Sequence, residues 1–182
     1  MPGPSPRSTP PRRILVAGAS GAGKSTLARR IAEAAGLPYV EIDALFHGPG
    51  WTPRPSFAAE VEAFTSQPGW VTEWQYESVR DLLAARAHVL VFLDYPRPLV
   101  MRRVIVRTLR RRLLREELWN GNREGPLRGI LTDPEHIIRW AWTTHASRAG
   151  LVEAAERRHP ALEIVRLRHP RDADAWLRRT FS

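Results

Sequence analysis

Short apolar runs, each closed by a polar or turn-forming residue and followed by apolar positions at helical spacing, dominate the chain. Ile14, Leu15, Val16 and Ala17 form such a run ending in Gly18, which predicts a buried strand. From Ser25 the apolar positions move to Leu27, Ile31, Ala34 and Ala35. Gly36 follows as a C-terminal cap with Pro38 beyond it, so a helix is expected there. Residues 39–42 read as a second strand ending at Asp43, followed by a loop through Pro55. Ser56 is an expected N-cap for a helix over 57–65. Pro68 and Gly69 turn the chain into a third strand, 70–74, and a helix is expected over 77–87. The fourth strand, 88–93, is the clearest, and Asp94 and Pro96 close it. An Arg-rich helix is expected over 99–118, and Gly121, Gly125, Pro126 and Gly129 then break regular structure. Thr132 with Glu135 three residues on reads as a capping box with Pro134 in the first turn. That predicts a helix from about 133 toward 158, with Gly150 a candidate interruption. A fifth strand, 163–167, and a helix from about 172 complete the pattern.

Five short apolar strands alternating with helices imply a parallel sheet covered on both faces, an α/β fold of three layers, α/β/α. Ligands of such sheets bind beyond the carboxyl ends of the strands, where Gly18, Asp43, Glu73 and Asp94 fall. Residues 1–12 carry five prolines and no core-forming residues, so they are expected to be disordered ahead of a single domain over 13–182.

Composition narrows the chemistry. With 182 residues, 43% hydrophobic and 26% charged, the chain reads as one soluble domain rather than a fibrous or disordered one. No run approaches the roughly 18 apolar residues of a membrane span and no signal core opens the sequence, so a cytoplasmic protein is expected. The absence of cysteine excludes disulfides, thiolate zinc sites and a thiol nucleophile, and the histidines show no HExxH spacing. The net charge of +9 permits attraction to phosphates. Of the 28 basic residues, Lys24 is the single lysine. A compact ammonium among so many guanidinium groups marks a place where a point charge is wanted.

Lys24 stands in Gly18, Ala19, Ser20, Gly21, Ala22, Gly23, Lys24, Ser25 and Thr26, which satisfies G-x-x-x-x-G-K-[ST] between a predicted strand and a predicted helix. The glycines let the backbone approach a ligand so that successive N–H groups form an anion-binding nest, and the helix start adds its unsatisfied amides. Lys24 is expected to reach the β- and γ-phosphates of ATP, and the Ser25 hydroxyl to ligate Mg²⁺.

With this loop, the chain resembles the adenylate kinase and shikimate kinase group of small P-loop kinases, and most of all the bacterial adenylate kinase-like (DNA topology modulation, FlaR-type) proteins. Besides the loop, the resemblance rests on EID at 41–43, GWVTEWQY at 69–76, VFLDYP at 91–96 followed by Arg103 and Arg107, and REELWNGNRE at 115–124. It implies a five-stranded parallel sheet of order 2-3-1-4-5, a short lid at about 115–132, and Mg²⁺-dependent transfer of the γ-phosphoryl group of ATP to a small-molecule acceptor. It implies that Asp43 binds or deprotonates the acceptor hydroxyl; a helix-capping or loop-initiating aspartate is the alternative. Glu73 stands where adenylate kinases orient Mg²⁺-bound water, although Glu73-Trp74 replaces their Asp-Gly; a solvated strand-end glutamate is the alternative. Arg103 and Arg107, four apart on one helix face, match arginines that contact ATP phosphates and adenine. Arg123 is the arginine expected to arrive with the lid, with Arg139 and Arg148 as lesser candidates; a plain surface connection is the alternative for this segment. Arg171, in Arg168-His169-Pro170-Arg171, falls where related kinases wrap the adenine; a turn with no ligand contact is the alternative. The acceptor is expected near Asp43, Trp51 and Trp74. No lid zinc cluster is possible without cysteine.

A second reading, from the net charge, is a nucleotide-regulated protein that binds nucleic acid through the Arg-rich helix, although no base-reading signature accompanies it. A monomer or homodimer without membrane attachment fits either reading.

Overall fold

The computed structural model describes residues 10–113, 142 and 147–181. Five strands, β1 (Arg13–Gly18), β2 (Tyr39–Val40), β3 (Trp70–Glu73), β4 (Val89–Leu93) and β5 (Glu163–Leu167), form one sheet of order β2-β3-β1-β4-β5. All the pairings are parallel, and β1 lies between β3 and β4, with Ile14 opposite Val71 on one side and Val89 on the other. The helices of the described residues are α1 (Lys24–Ala35), α2 (Ile42–Phe46), α3 (Phe57–Thr65), α4 (Glu77–Arg86), α5 (Arg97–Leu113), α6 (Ser147–Arg158) and α7 (Pro170–Phe181).

Alternating strand residues feed two cores. Ile14, Val16, Val71, Val89 and Val91 pack against Leu27 and Ile31 of α1, Val100 and Val104 of α5, and Trp176 of α7. Leu15, Ala17, Leu90 and Phe92 pack against Ile42 of α2, Val61 of α3, Leu83 of α4 and Val152 of α6. This is the three-layer α/β/α arrangement that near-continuous apolar strands require, because both faces of the sheet are covered. Each fully buried aliphatic side chain contributes about 1.5–3 kcal/mol, so the central strands anchor what their carboxyl ends display.

Local departures from the sequence pattern sit around Asp43. The second strand ends at Val40, and Asp43 lies in α2 rather than at a strand end. Ala44 N–H donates to the Glu41 carbonyl at 3.1 Å and His47 N–H to that of Asp43 at 3.0 Å, so the chain turns helical as soon as Ile42 has entered the core. Glu41 stands at the N-cap of α2 with its side chain on Arg29 at 3.0 Å. A 3₁₀ turn, Pro49–Trp51, occupies part of the expected loop. Ser56 makes no side-chain cap bond. Gly150 lies inside α6 without interrupting it. The chain is joined to the sheet from Arg12, inside the segment expected to be disordered: Pro11 is buried and the Arg12 carbonyl accepts from Trp70 N–H at 2.8 Å. The expected lid at 115–132 lies outside the described residues.

Candidate active site

β1 delivers the chain into a tight loop that opens α1. Gly23, at φ 99°, is the N-cap of α1, and Gly21, at φ 83°, lies so close to α5 that a β-carbon there would collide with the Val104 side chain. Both positions require glycine, for backbone conformation and, at Gly21, for space as well. The loop is further tied to α5 by Arg103, whose Nη1 donates to the Ala22 carbonyl at 3.0 Å while its guanidinium lies over the Tyr95 ring at 5.5 Å. Ala19 and Ala22 are buried, Ser25 is half-buried and Thr26 is exposed.

Lys24 donates from Nζ to the Ala19 carbonyl at 3.3 Å. The residue keeps intermediate exposure, but its ammonium is enclosed by protein. Burial lowers its pKa from 10.5 to about 8; Asp43 and Glu73 pull it upward, and Arg148 and Arg107 push it down. One ammonium is thus the electrostatic meeting point of residues from α2, β3, α5 and α6.

Asp43 is held on one side only. Its Oδ1 accepts from the Tyr76 hydroxyl at 2.5 Å and from Gln75 Nε2 at 2.9 Å, and no described residue donates to Oδ2. Tyr76 adopts φ 58°, ψ 114°, a conformation that costs a non-glycine residue about 1–3 kcal/mol. Its ring stacks on Phe46 at 4.0 Å and meets Phe57 edge-on at 5.3 Å. The Tyr76 hydroxyl also lies 3.1 Å from His47 Nε2. Burial, then Asp43, raises the Tyr76 pKa far above the ordinary range, so it stays an O–H donor. Burial holds His47 below its ordinary value against the pull of Asp43, leaving the ring neutral at pH 7.

Glu73 is fully buried at the end of β3. Its Oε1 accepts from the Tyr39 hydroxyl at 2.6 Å, and its buried Oε2 has no hydrogen-bond partner. It is therefore not a solvated strand-end residue. A buried carboxyl oxygen left without a donor is costly unless something else comes to it. Among the described residues no three carboxylates or histidines cluster as a self-sufficient metal site. A cation held by Ser25, Glu73, waters and phosphates, the usual economy of Mg²⁺, fits this donor set.

Two arginines complete the cleft. The buried Nε atoms of Arg80, on α4, and Arg148, on α6, lack hydrogen-bond partners. Burial, and then the positive charge of Arg80, lowers the Arg148 pKa. Arg80 also lies over the Trp74 ring at 5.4 Å, and Trp74 Nε1 donates to the Arg80 carbonyl at 2.9 Å. Two guanidinium groups close enough to repel one another, with no carboxylate on either among the described residues, are able to take an anion between them.

Of the expected site residues, the structure brings Gly18 through Ser25, Asp43, Glu73, Arg103, Arg107 and Arg148 to one end of the sheet. Arg171 is exposed at the start of α7, its backbone N–H donating to His169 Nδ1 at 3.2 Å, and no contact joins it to the phosphate loop. Trp51 is 40% exposed and meets His47 edge-on at 5.0 Å. Arg123 and Arg139 lie outside the described residues. Tyr76, Gln75, His47 and Arg80 were not expected from the sequence as site residues. The segment GWVTEWQY contains four of the site's side chains, Glu73, Trp74, Gln75 and Tyr76, but only the fold shows that its last two turn back onto Asp43.

No protein-family model matches the sequence, and no curated protein matches it. Solved structures do match. A gluconokinase from Sinorhizobium meliloti 1021 aligns over 95% of this chain and 91% of its own at 21% identity and a TM-score of 0.53. Shikimate kinase from Acinetobacter baumannii, in complex with shikimate, aligns over 94% and 90% at 17% identity and a TM-score of 0.54. Shikimate kinase from Bacteroides thetaiotaomicron aligns over 93% and 96% at 16% identity and a TM-score of 0.55. At such identities the likeness is one of fold: the chain has the P-loop kinase fold of these small-molecule kinases.

Proposed function

We propose that the protein is an ATP-dependent phosphotransferase that moves the γ-phosphoryl group to a hydroxyl of a small acceptor bearing an anionic group. The observation that carries this reading is the convergence on Lys24 of a glycine loop, two carboxyl groups and two arginines. The kinase structures of the same fold support it. The loop amides and Lys24 would bind the β- and γ-phosphates, with Arg107 adding positive charge where the transferred group sits. Ser25 and Glu73 would hold Mg²⁺, which when bound neutralises phosphate charge.

Oδ2 of Asp43 faces no donor among the described residues and is the oxygen available to the acceptor. As the acceptor oxygen forms its bond to the γ-phosphorus, the bond to the β–γ bridging oxygen breaks, ADP leaves, and the hydroxyl proton passes to Asp43. Arg80 and Arg148 would hold a carboxylate or phosphate of the acceptor and so fix which hydroxyl reaches Asp43. An adenylate kinase-like transfer, suggested by the sequence, would instead place the phosphoryl group on an acceptor phosphate with no proton for Asp43 to take; a nucleotide or an acidic sugar accepting at a hydroxyl would satisfy the arginine pair.

Labelled ATP supplied with paired acceptors, sugar acids against their neutral sugars and nucleotides against nucleosides, tests the reading. Label should appear only in anionic members, and Arg148→Met should raise KM for them at least 10-fold with a smaller change in kcat. Transfer to neutral acceptors with Arg148→Met unchanged would contradict the anionic class, and failure of Lys24→Met to abolish transfer would contradict the enzyme reading.

A further inference from the structure

We infer that Tyr76 is a positioning residue for the acceptor-facing carboxylate: pinned by its stack on Phe46 and by His47, it ties down Oδ1 of Asp43 so that Oδ2 is the oxygen presented to the acceptor. This rests on the reading of Asp43 given above.

The hydrogen-bond directions follow from counting protons. The Tyr76 hydroxyl has one proton, and the Asp43 carboxylate can only accept, so that proton lies in the 2.5 Å contact. The 3.1 Å contact from His47 Nε2 then requires the proton to sit on that nitrogen and point at the Tyr76 oxygen. The chain runs His47 Nε2–H to Tyr76 O–H to Asp43 Oδ1, with donors all aimed toward the carboxylate. Burial lowers the His47 pKa against Asp43 and a backbone hydrogen bond with Trp51, which favours the neutral ring; its one proton is assigned to Nε2 by the Tyr76 contact alone.

The backbone shows that Tyr76 is placed rather than merely packed. It stands at the N-cap of α4 at φ 58°, where glycine would be accommodated with less strain. A tyrosine there makes three contacts that a smaller residue would forfeit: the stack on Phe46, the bond to Asp43 and the bond to His47. Gln75 Nε2 adds a second donor to the same Oδ1. With one carboxylate oxygen doubly bound, rotation of Asp43 about its side chain is restricted, and the second oxygen is left for a reacting hydroxyl.

The test is Tyr76→Phe, which keeps the ring and its stack and removes only the hydroxyl. In the intact protein, affinity for ATP with magnesium should stay within twofold of the parent. For the acceptor that the parent phosphorylates, kcat should fall about 10- to 100-fold with little change in KM. Asp43→Asn combined with Tyr76→Phe should be no slower than Asp43→Asn alone, because Tyr76 acts through Asp43. A crystal structure of Tyr76→Phe should show the Asp43 carboxylate rotated or in two orientations, a readout that needs no acceptor. The ¹⁵N shifts of His47 in the parent should be those of the Nε2–H tautomer. Parent-like kcat, additive losses in the double variant, an unmoved Asp43 or the Nδ1–H tautomer would each overturn the inference. None of these touches ATP binding by the parent, whose failure would instead overturn the kinase reading.

Discussion

Lys24 shows how a site residue works against the stability of the protein that carries it. Its pKa falls from 10.5 to about 8, so the charged form is disfavoured by about 3–4 kcal/mol in the folded state. The sign follows from proton counting. Between about pH 8 and 10.5 the unfolded chain holds more protons than the folded one, so stability rises with pH across that window and the full penalty is present below it. Lys24→Met should therefore raise the melting temperature of the ligand-free protein at pH 7 by several degrees. The same variant should erase the further stabilisation that ATP with magnesium confers on the parent. Calorimetric scans of both proteins with and without nucleotide check both halves. Gly21→Ala acts in the opposite direction, because its β-carbon meets Val104 in a left-handed backbone. A loss of about 2–4 kcal/mol in urea unfolding is expected, together with loss of nucleotide binding. Both residues were legible in the sequence because the motif ties spacing to backbone conformation. Tyr76 was not, since nothing in residue order announces that a tyrosine will take φ 58°.

At the level of elements, apolar runs gave β1, β3 and β4 because a strand buried on both faces leaves a continuous signature. The stretch from Tyr39 to Phe46 misled for the opposite reason. Two strand residues are followed at once by a five-residue helix, too short for its period to show, and a buried Ile42 reads the same in either. That short helix is what swings Asp43 toward Gln75 and Tyr76. Breaking the link between β2 and β3 tests how firmly Glu73 is held. Tyr39→Phe should leave the Glu73 carboxyl without its donor and cost about 1–3 kcal/mol in equilibrium unfolding. Glu73→Gln should instead leave the fold intact, since Tyr39 can still donate to the amide oxygen, while weakening the magnesium dependence of ATP binding at least 10-fold.

For the whole molecule, the strand order places the phosphate loop at the centre of the sheet, with the acceptor-side groups on β3, α2, α4 and α6 to one flank and the α5 arginines to the other. The positive charge of the chain is thereby partly explained: Lys24, Arg80, Arg107 and Arg148 converge where anionic substrates would sit. On this account nucleic acid is not the ligand, and gel shifts at 150 mM salt should be absent. The central claim, that the loop and its lone ammonium grip a triphosphate, has a direct signature in protons. At pH 8, Lys24 is about half protonated in the free protein and should become almost fully protonated beside bound phosphates. Titration calorimetry of ATP with magnesium at pH 8, in two buffers of different ionisation enthalpy, should give binding with uptake of about half a proton per site, both lost in Lys24→Met. Absence of binding, or binding that Lys24→Met leaves unchanged and without proton uptake, would contradict the account.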